Sequence, residues 1–143
     1  AYDPLFNETM CLYAGQGHAW FADTGARHGW ADLRHQDLAA LGYHSPNMAL
    51  THERRLERAA TASDQEAVAT LVLSGAYVGF LPDHYAQAFV AAGRMRAVAP
   101  RTLFYRCAFA CMHRRAPAPS RVAETFRQAL LAAHQRKPLA QPT

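Results

Sequence analysis

Apolar positions along this chain fall into short blocks of differing period, and the stretch TLVLSGAYVGFLPDHYA, Thr70 to Ala86, joins three of them. Helical spacing runs into a Ser-Gly pair, a continuous apolar run follows, and a proline then opens a polar, helix-like tail. Ser63 stands three residues before Glu66, the capping-box spacing, at the head of a helix that turns Ala67, Val68, Leu71 and Val72 inward. Gly75 closes that helix, and Ala76 to Leu81 reads as a buried parallel strand. Pro82 and Asp83 suit the first turn of the next helix, which runs to Gly93.

The remaining blocks extend the same alternation. Glu8 to Ala14 reads as a buried strand, and the glycine-rich Gly15 to Trp30 as a loop. Leu33, Leu38 and Leu41 predict a short helix over Ala31 to Tyr43, capped at Gly42; a strand end and a turn at Ser45-Pro46 follow. Glu53 to Ala59 has helical propensity, and Arg58 to Ser63 predicts a short strand leading into the capping box. Arg94 to Val98 and Thr102 to His113 are further strands. Ser120 caps a last helix with Val122, Phe126 and Leu130 on one face, and Gln135 to Thr143 is a tail. The sum is an α/β fold with a largely parallel sheet flanked by helices. In such sheets ligands sit beyond the carboxyl ends of the strands, here YHSPN, TASDQ and FLPDH. TASDQ offers the Thr61 and Ser63 hydroxyls at a helix start, a place where free N–H groups and the helix dipole favour a carboxylate or other anion.

Composition narrows the chemistry. Half of the 143 residues are apolar and 18% are charged, enough for one domain with a core. The net charge of +4 is spread over scattered arginines with no basic block and no interleaved aromatics, so the basic surface predicts solvation rather than direct DNA binding. Cys11, Cys107 and Cys111 lie in apolar runs, which suits reduced, core-facing thiols; their spacing with His113 fits no structural zinc pattern. No apolar run is long enough to cross a bilayer, and no signal peptide is visible at the start. The chain begins without an initiator Met, as expected of a piece of a longer protein. His84 beside Asp83 and Ser74 in LSGAY match no nucleophile or base motif, so no catalytic residue, cofactor or metal is expected.

Three blocks in order, ETMCLYAGQGHAWFA, ATASDQEAVATLVLSGAYVGFLPDHYA and FVAAGRMRAV, resemble the C-terminal part of LysR-type transcriptional regulators over roughly Leu5 to Ala133. The resemblance implies a cytoplasmic regulator with a winged helix-turn-helix, a dimerising linker helix and an effector domain of periplasmic-binding-protein-like (type 2) fold. In that domain two Rossmann-like subdomains, joined by two crossing strands, hold a small-molecule effector between them. Residues 16–102 would be the second Rossmann-like subdomain. Residues 1–15 and 103–135 would be crossing strands and the C-terminal helix of the first, with 136–143 a tail. No winged helix and little of the first subdomain are recognisable, so DNA contact is expected only through a domain absent from these residues. Carried over position by position, the effector wall comprises His44, Ser45 and Asn47, then Thr61, Ala62, Ser63 and Asp64, then Leu81, Pro82 and Asp83. The resemblance implies a small effector, a carboxylate or an aromatic acid, and the apolar surface that a missing first subdomain would leave along the crossing strands and last helix predicts self-association as a homo-oligomer. A periplasmic solute-binding protein of the same fold is the alternative.

Overall fold

The structure, a computed structural model, describes residues 1–24, 27–43 and 49–135. The chain divides into a larger unit, Thr9–Cys107, and a smaller one formed by Ala1–Glu8 and Ala108–Thr143. Two long strands, β1 (Tyr2–Gly15) and β6 (Phe104–Met112), pass through both.

In the larger unit the order along the chain is α1 (Ala19–Ala22), α2 (Trp30–Leu33), β2 (Leu38–Leu41), α3 (Ala49–Glu53), β3 (Arg58–Ala62), α4 (Gln65–Leu73), β4 (Val78–Pro82), α5 (Asp83–Ala91) and β5 (Met95–Ala97). Strands lie in the order β3-β2-β4-β1-β5, with β6 also pairing β1. β2 is parallel to both β3 and β4, whereas β1 is antiparallel to β4 and β5. The α/β class expected from the sequence is present, but the sheet is mixed: β1, which carries the chain in from the smaller unit, enters against the direction of its neighbours.

Both faces of this sheet are buried, which explains why its central strands read as unbroken apolar runs rather than alternating ones. Met10, Leu12 and Ala14 of β1 and Val78 and Phe80 of β4 pack on one face with Trp20, Leu33, Leu38 and Leu103. Their sequence neighbours Cys11, Tyr13 and Leu81 point to the other face, against Val68, Ala69 and Val72 of α4 and Ala86 of α5. Each fully buried leucine there contributes on the order of 1.5–3 kcal/mol relative to exposure. Gly79 interrupts β4 because α4 lies directly over it: an added Cβ would come within 2.8 Å of Val72 Cγ2 and 3.0 Å of Val68 Cγ1. Gly75, at φ 76°, makes the turn out of α4 as expected.

Three local expectations are corrected. Ala31 to Tyr43 is not one helix; it divides into the end of α2 and strand β2, with Leu38 and Ala39 buried on opposite faces of the sheet. Pairing with β3 and β4 on both sides overrides the helical propensity of Leu-Ala-Ala-Leu. Glu53 to Ala59 is likewise not helical throughout, since α3 ends at Glu53 and β3 begins at Arg58. The predicted loop Gly15 to Trp30 contains α1 and the start of α2. His18 caps α1 by accepting the Trp20 N–H on Nδ1 at 3.1 Å.

The smaller unit pairs the first residues of the chain with the end of β6: Ala1 and His113 exchange both backbone bonds, at 2.8 and 3.1 Å. Helix α6 (Arg121–Gln135) is capped by Ser120, as expected, with the Ala123 N–H donating to its Oγ at 3.2 Å. Phe6 stacks between Phe109 at 4.8 Å and His134 at 5.1 Å. Arg127 donates to Asp3 at 2.7 Å and to both oxygens of Glu124, and His113 Nε2 lies 3.3 Å from the same Asp3. The Arg127 guanidinium and the Gln128 amide hold the Glu124 carboxyl down at about 2. Among the described residues of α6 none is buried, and Val122 and Phe126 are 80% and 66% exposed.

Candidate functional site

Parallel pairing of β3, β2 and β4 brings their carboxyl ends to one edge of the larger unit, where α4 starts. Thr61 and Ala62 of β3 lie beside Ala40 and Leu41 of β2 in the ladder. Leu38 to Leu41, Thr51, Gln65, Val68, Phe80 and Tyr105 line a small cavity of about 20 Å³ there, room for about one water molecule. None of these lining side chains is charged. Two of the lining residues belong to an aromatic cluster: Phe80 meets Tyr105 edge-on at 5.1 Å and stacks on Trp30 at 5.8 Å, and the Arg54 guanidinium covers Trp30 at 5.4 Å. The Gln65 side chain, on the first residue of α4, has its Oε1 buried with no hydrogen-bond partner. A buried amide oxygen without a donor costs about 1–3 kcal/mol.

The expected wall residues divide into four groups. His44, Ser45 and Asn47 lie outside the described residues. Thr61, Ala62, Ser63 and Asp64 do form the turn from β3 into α4 at this edge, but the cap is not the one the sequence suggested. Asp64, not Ser63, is the N-cap: its Oδ1 accepts the Ala67 N–H at 2.8 Å, and Ser63 Oγ donates to Asp64 Oδ2 at 3.4 Å. Leu81 is fully buried in the core on the α4 face, and it is its neighbour Phe80 that reaches the cavity. Pro82 ends β4, and Asp83 opens α5 with its Oδ1 accepting the His84 N–H at 2.7 Å. Of the cavity's lining residues, Gln65 and Phe80 fall within the strand-end stretches TASDQ and FLPDH but were not among the expected wall residues, and Thr51 and Tyr105 lie outside those stretches.

None of the three cysteines forms a disulfide; Cys11 and Cys107 are buried and Cys111 is half-buried. Burial, with the Asp83 carboxylate adding to it, pushes the Cys11 thiol up, and the same burial takes Tyr13 to about 12. Neither is tuned toward a nucleophile. No group of three or more His, Cys, Asp or Glu side chains could hold a metal among the described residues, and no helix among them is long and apolar enough to cross a membrane.

The larger unit is thus a mixed sheet covered on both faces, with a small cavity near the carboxyl ends of its parallel strands. The family model of the LysR substrate binding domain matches residues 1–135, and the chain belongs to that family. It is 35% identical over 129 residues to the HTH-type transcriptional activator BauR of Pseudomonas aeruginosa, covering 90% of this chain and 42% of BauR. Among solved structures it is similar to the OxyR2 regulatory domain of Vibrio vulnificus, at a TM-score of 0.69 and 12% identity, covering 94% of this chain and 64% of that one. The CcmR regulatory domain of Synechocystis PCC6803 gives a TM-score of 0.67 at 16% identity, with 97% and 69% covered. Full-length HypT of Salmonella typhimurium gives 0.67 at 20%, with 94% and 46% covered. The chain thus spans under half the length of the curated relative it matches. The alternative of a periplasmic solute-binding protein is set aside, because the family is that of the transcription regulators, which is not an enzyme family.

Proposed function

We propose that this chain is the effector-sensing segment of a cytoplasmic LysR-type regulator and that its ligand docks at the strand-end edge around Gln65. The observation that carries this reading is the unpartnered Gln65 Oε1 in an uncharged cavity walled by Phe80 and Tyr105. Such a wall suits the carbon body of a small organic effector, and Gln65 would accept an O–H or N–H from it. Thr61 and Ser63, on the turn into α4, would bind its carboxylate with the help of the helix start. Among the fold relatives, the CcmR regulatory domain is described in complex with 2-PG and that of HypT as bromide-bound, so the fold accommodates small anions. The cavity is too small to enclose such a ligand alone. The facing wall would come from the part of the regulatory domain that this chain does not span.

Sensing requires that the effector bind one conformation of the regulator more tightly than the other, since a ligand shifts an equilibrium only by that difference. DNA contact would belong to a helix-turn-helix segment outside these residues. The test uses the intact regulator that contains this chain. Gln65→Leu and Ser63→Ala should each raise the effector concentration for half-maximal operator response by up to about tenfold, the worth of one lost hydrogen bond. Operator affinity without effector should stay unchanged. An unaltered response in both variants would remove this edge from the effector site.

A further inference from the structure

The larger unit carries a second concavity, separate in its lining residues from the strand-end cavity. Arg27 and His28, which precede α2, and Ala99 to Thr102, in the loop between β5 and β6, border an open concavity of about 400 Å³. That volume is in the range of small-ligand sites. Among the described residues lining it, every ionisable side chain is basic: Arg27, Arg101 and His28, with the Thr102 hydroxyl beside them.

Two features fix the framework from which the two arginines project. The His28 ring is stacked on the buried Trp20 at 4.0 Å with an interplanar angle of 20°, and its Nε2 is buried without a hydrogen-bond partner. Asp23 Oδ2 stands 3.6 Å from Nε2, beyond hydrogen-bond distance though within ion-pair reach of a protonated ring, and Asp23 is not a lining residue. On the opposite wall, Ala99 adopts φ 42°, a conformation unfavourable for a residue with a Cβ. Its carbonyl accepts from the N–H groups of both Thr102 and Leu103 at 2.8 Å, fixing the turn that carries Arg101 and Thr102.

From this constellation we infer a second, anion-binding site for a small phosphorylated or dicarboxylate metabolite. Two guanidiniums offer bidentate donors, and the Thr102 hydroxyl adds a single one. Ala99 and Pro100 leave an apolar strip for a short carbon body. The site is independent of the strand-end reading above and shares no residue with it.

The experiment is a titration of the 143-residue chain followed by amide and histidine NMR, with inorganic phosphate and, separately, succinate as probes. Sodium chloride at matched ionic strength is the control. The site predicts saturable shifts at His28, Thr102 and the Trp20 indole that chloride does not produce. Phosphate alone producing them would assign the phosphorylated class, succinate alone the dicarboxylate. Arg27→Ala with Arg101→Ala should raise the half-saturation concentration at least about tenfold, whereas Gln65→Leu should leave it unchanged. Thr102→Val, which keeps both arginines, should weaken binding severalfold. The inference is overturned if neither probe gives saturable shifts at these residues, if chloride gives the same shifts, or if the double arginine variant binds as well as the parent.

Discussion

His18 shows how one side chain ties local structure to pH. Its Nδ1 accepts the Trp20 N–H, a role open only to the neutral ring, and burial lowers its affinity for a proton, with Asp37 opposing. The folded state therefore holds that proton less tightly than the unfolded chain, whose value is about 6.5. The contribution of His18 to stability is complete above that value and declines as pH falls from it toward the lowered folded value. Urea unfolding from pH 7.5 down to 5 should show this decline, and His18→Asn, which keeps a capping acceptor but does not titrate, should flatten it. Equal slopes in the two proteins would mean that His18 is not the group responsible.

At the scale of elements, α4 is where sequence and structure agree most closely and where their one disagreement is informative. Apolar spacing places Val68 and Val72 inward, and Gly75 marks the end. Ser63 and Asp64 both qualify as caps by residue type, and the structure chooses Asp64 because β3 extends through Ala62 and leaves Ser63 in the connecting turn. Asp64→Ala should cost about 1 kcal/mol by chemical denaturation, and Ser63→Ala much less. The reverse ranking would restore Ser63 as the cap. The same reasoning separates what was legible from what was not. Strands β1 and β4, buried on both faces, announce themselves as apolar runs, but their pattern cannot say which face meets the functional edge. Leu81, placed in the effector wall by the resemblance, packs on the α4 face of the sheet, and Phe80 lines the strand-end cavity. β2 is only four residues of Leu and Ala, which carry no strand signal of their own, and its neighbours in the sheet decide its state. Gln65 reads as an ordinary first-turn residue, because an orphaned amide oxygen is visible only once the walls around it exist.

For the molecule as a whole, the two units differ in how well they bury their apolar residues. The larger has a core on each face of its sheet. In the smaller, Tyr2, Met112, Val122 and Phe126 are exposed, and α6 is anchored mainly through Phe6 and the Asp3–Arg127–Glu124 ion pairs. An amphipathic helix with its apolar residues in water favours association, and a second copy offers the same surface. Light scattering of the chain should give a concentration-dependent mass above the 15.8 kDa of one copy, lowered by Val122→Glu with Phe126→Glu. A single 15.8 kDa species at the highest attainable concentration would count against self-association.

Whether the strand-end edge senses a ligand is tested most directly by amide NMR of this chain against a panel of short-chain amino, hydroxy and aromatic carboxylic acids at millimolar concentration. A compound that binds should shift Ala39 to Leu41, Gln65, Phe80 and Tyr105 together, and Gln65→Leu should weaken that binding. A compound that binds the chain while leaving those residues unmoved, or that binds Gln65→Leu equally well, would contradict the placement of the effector site.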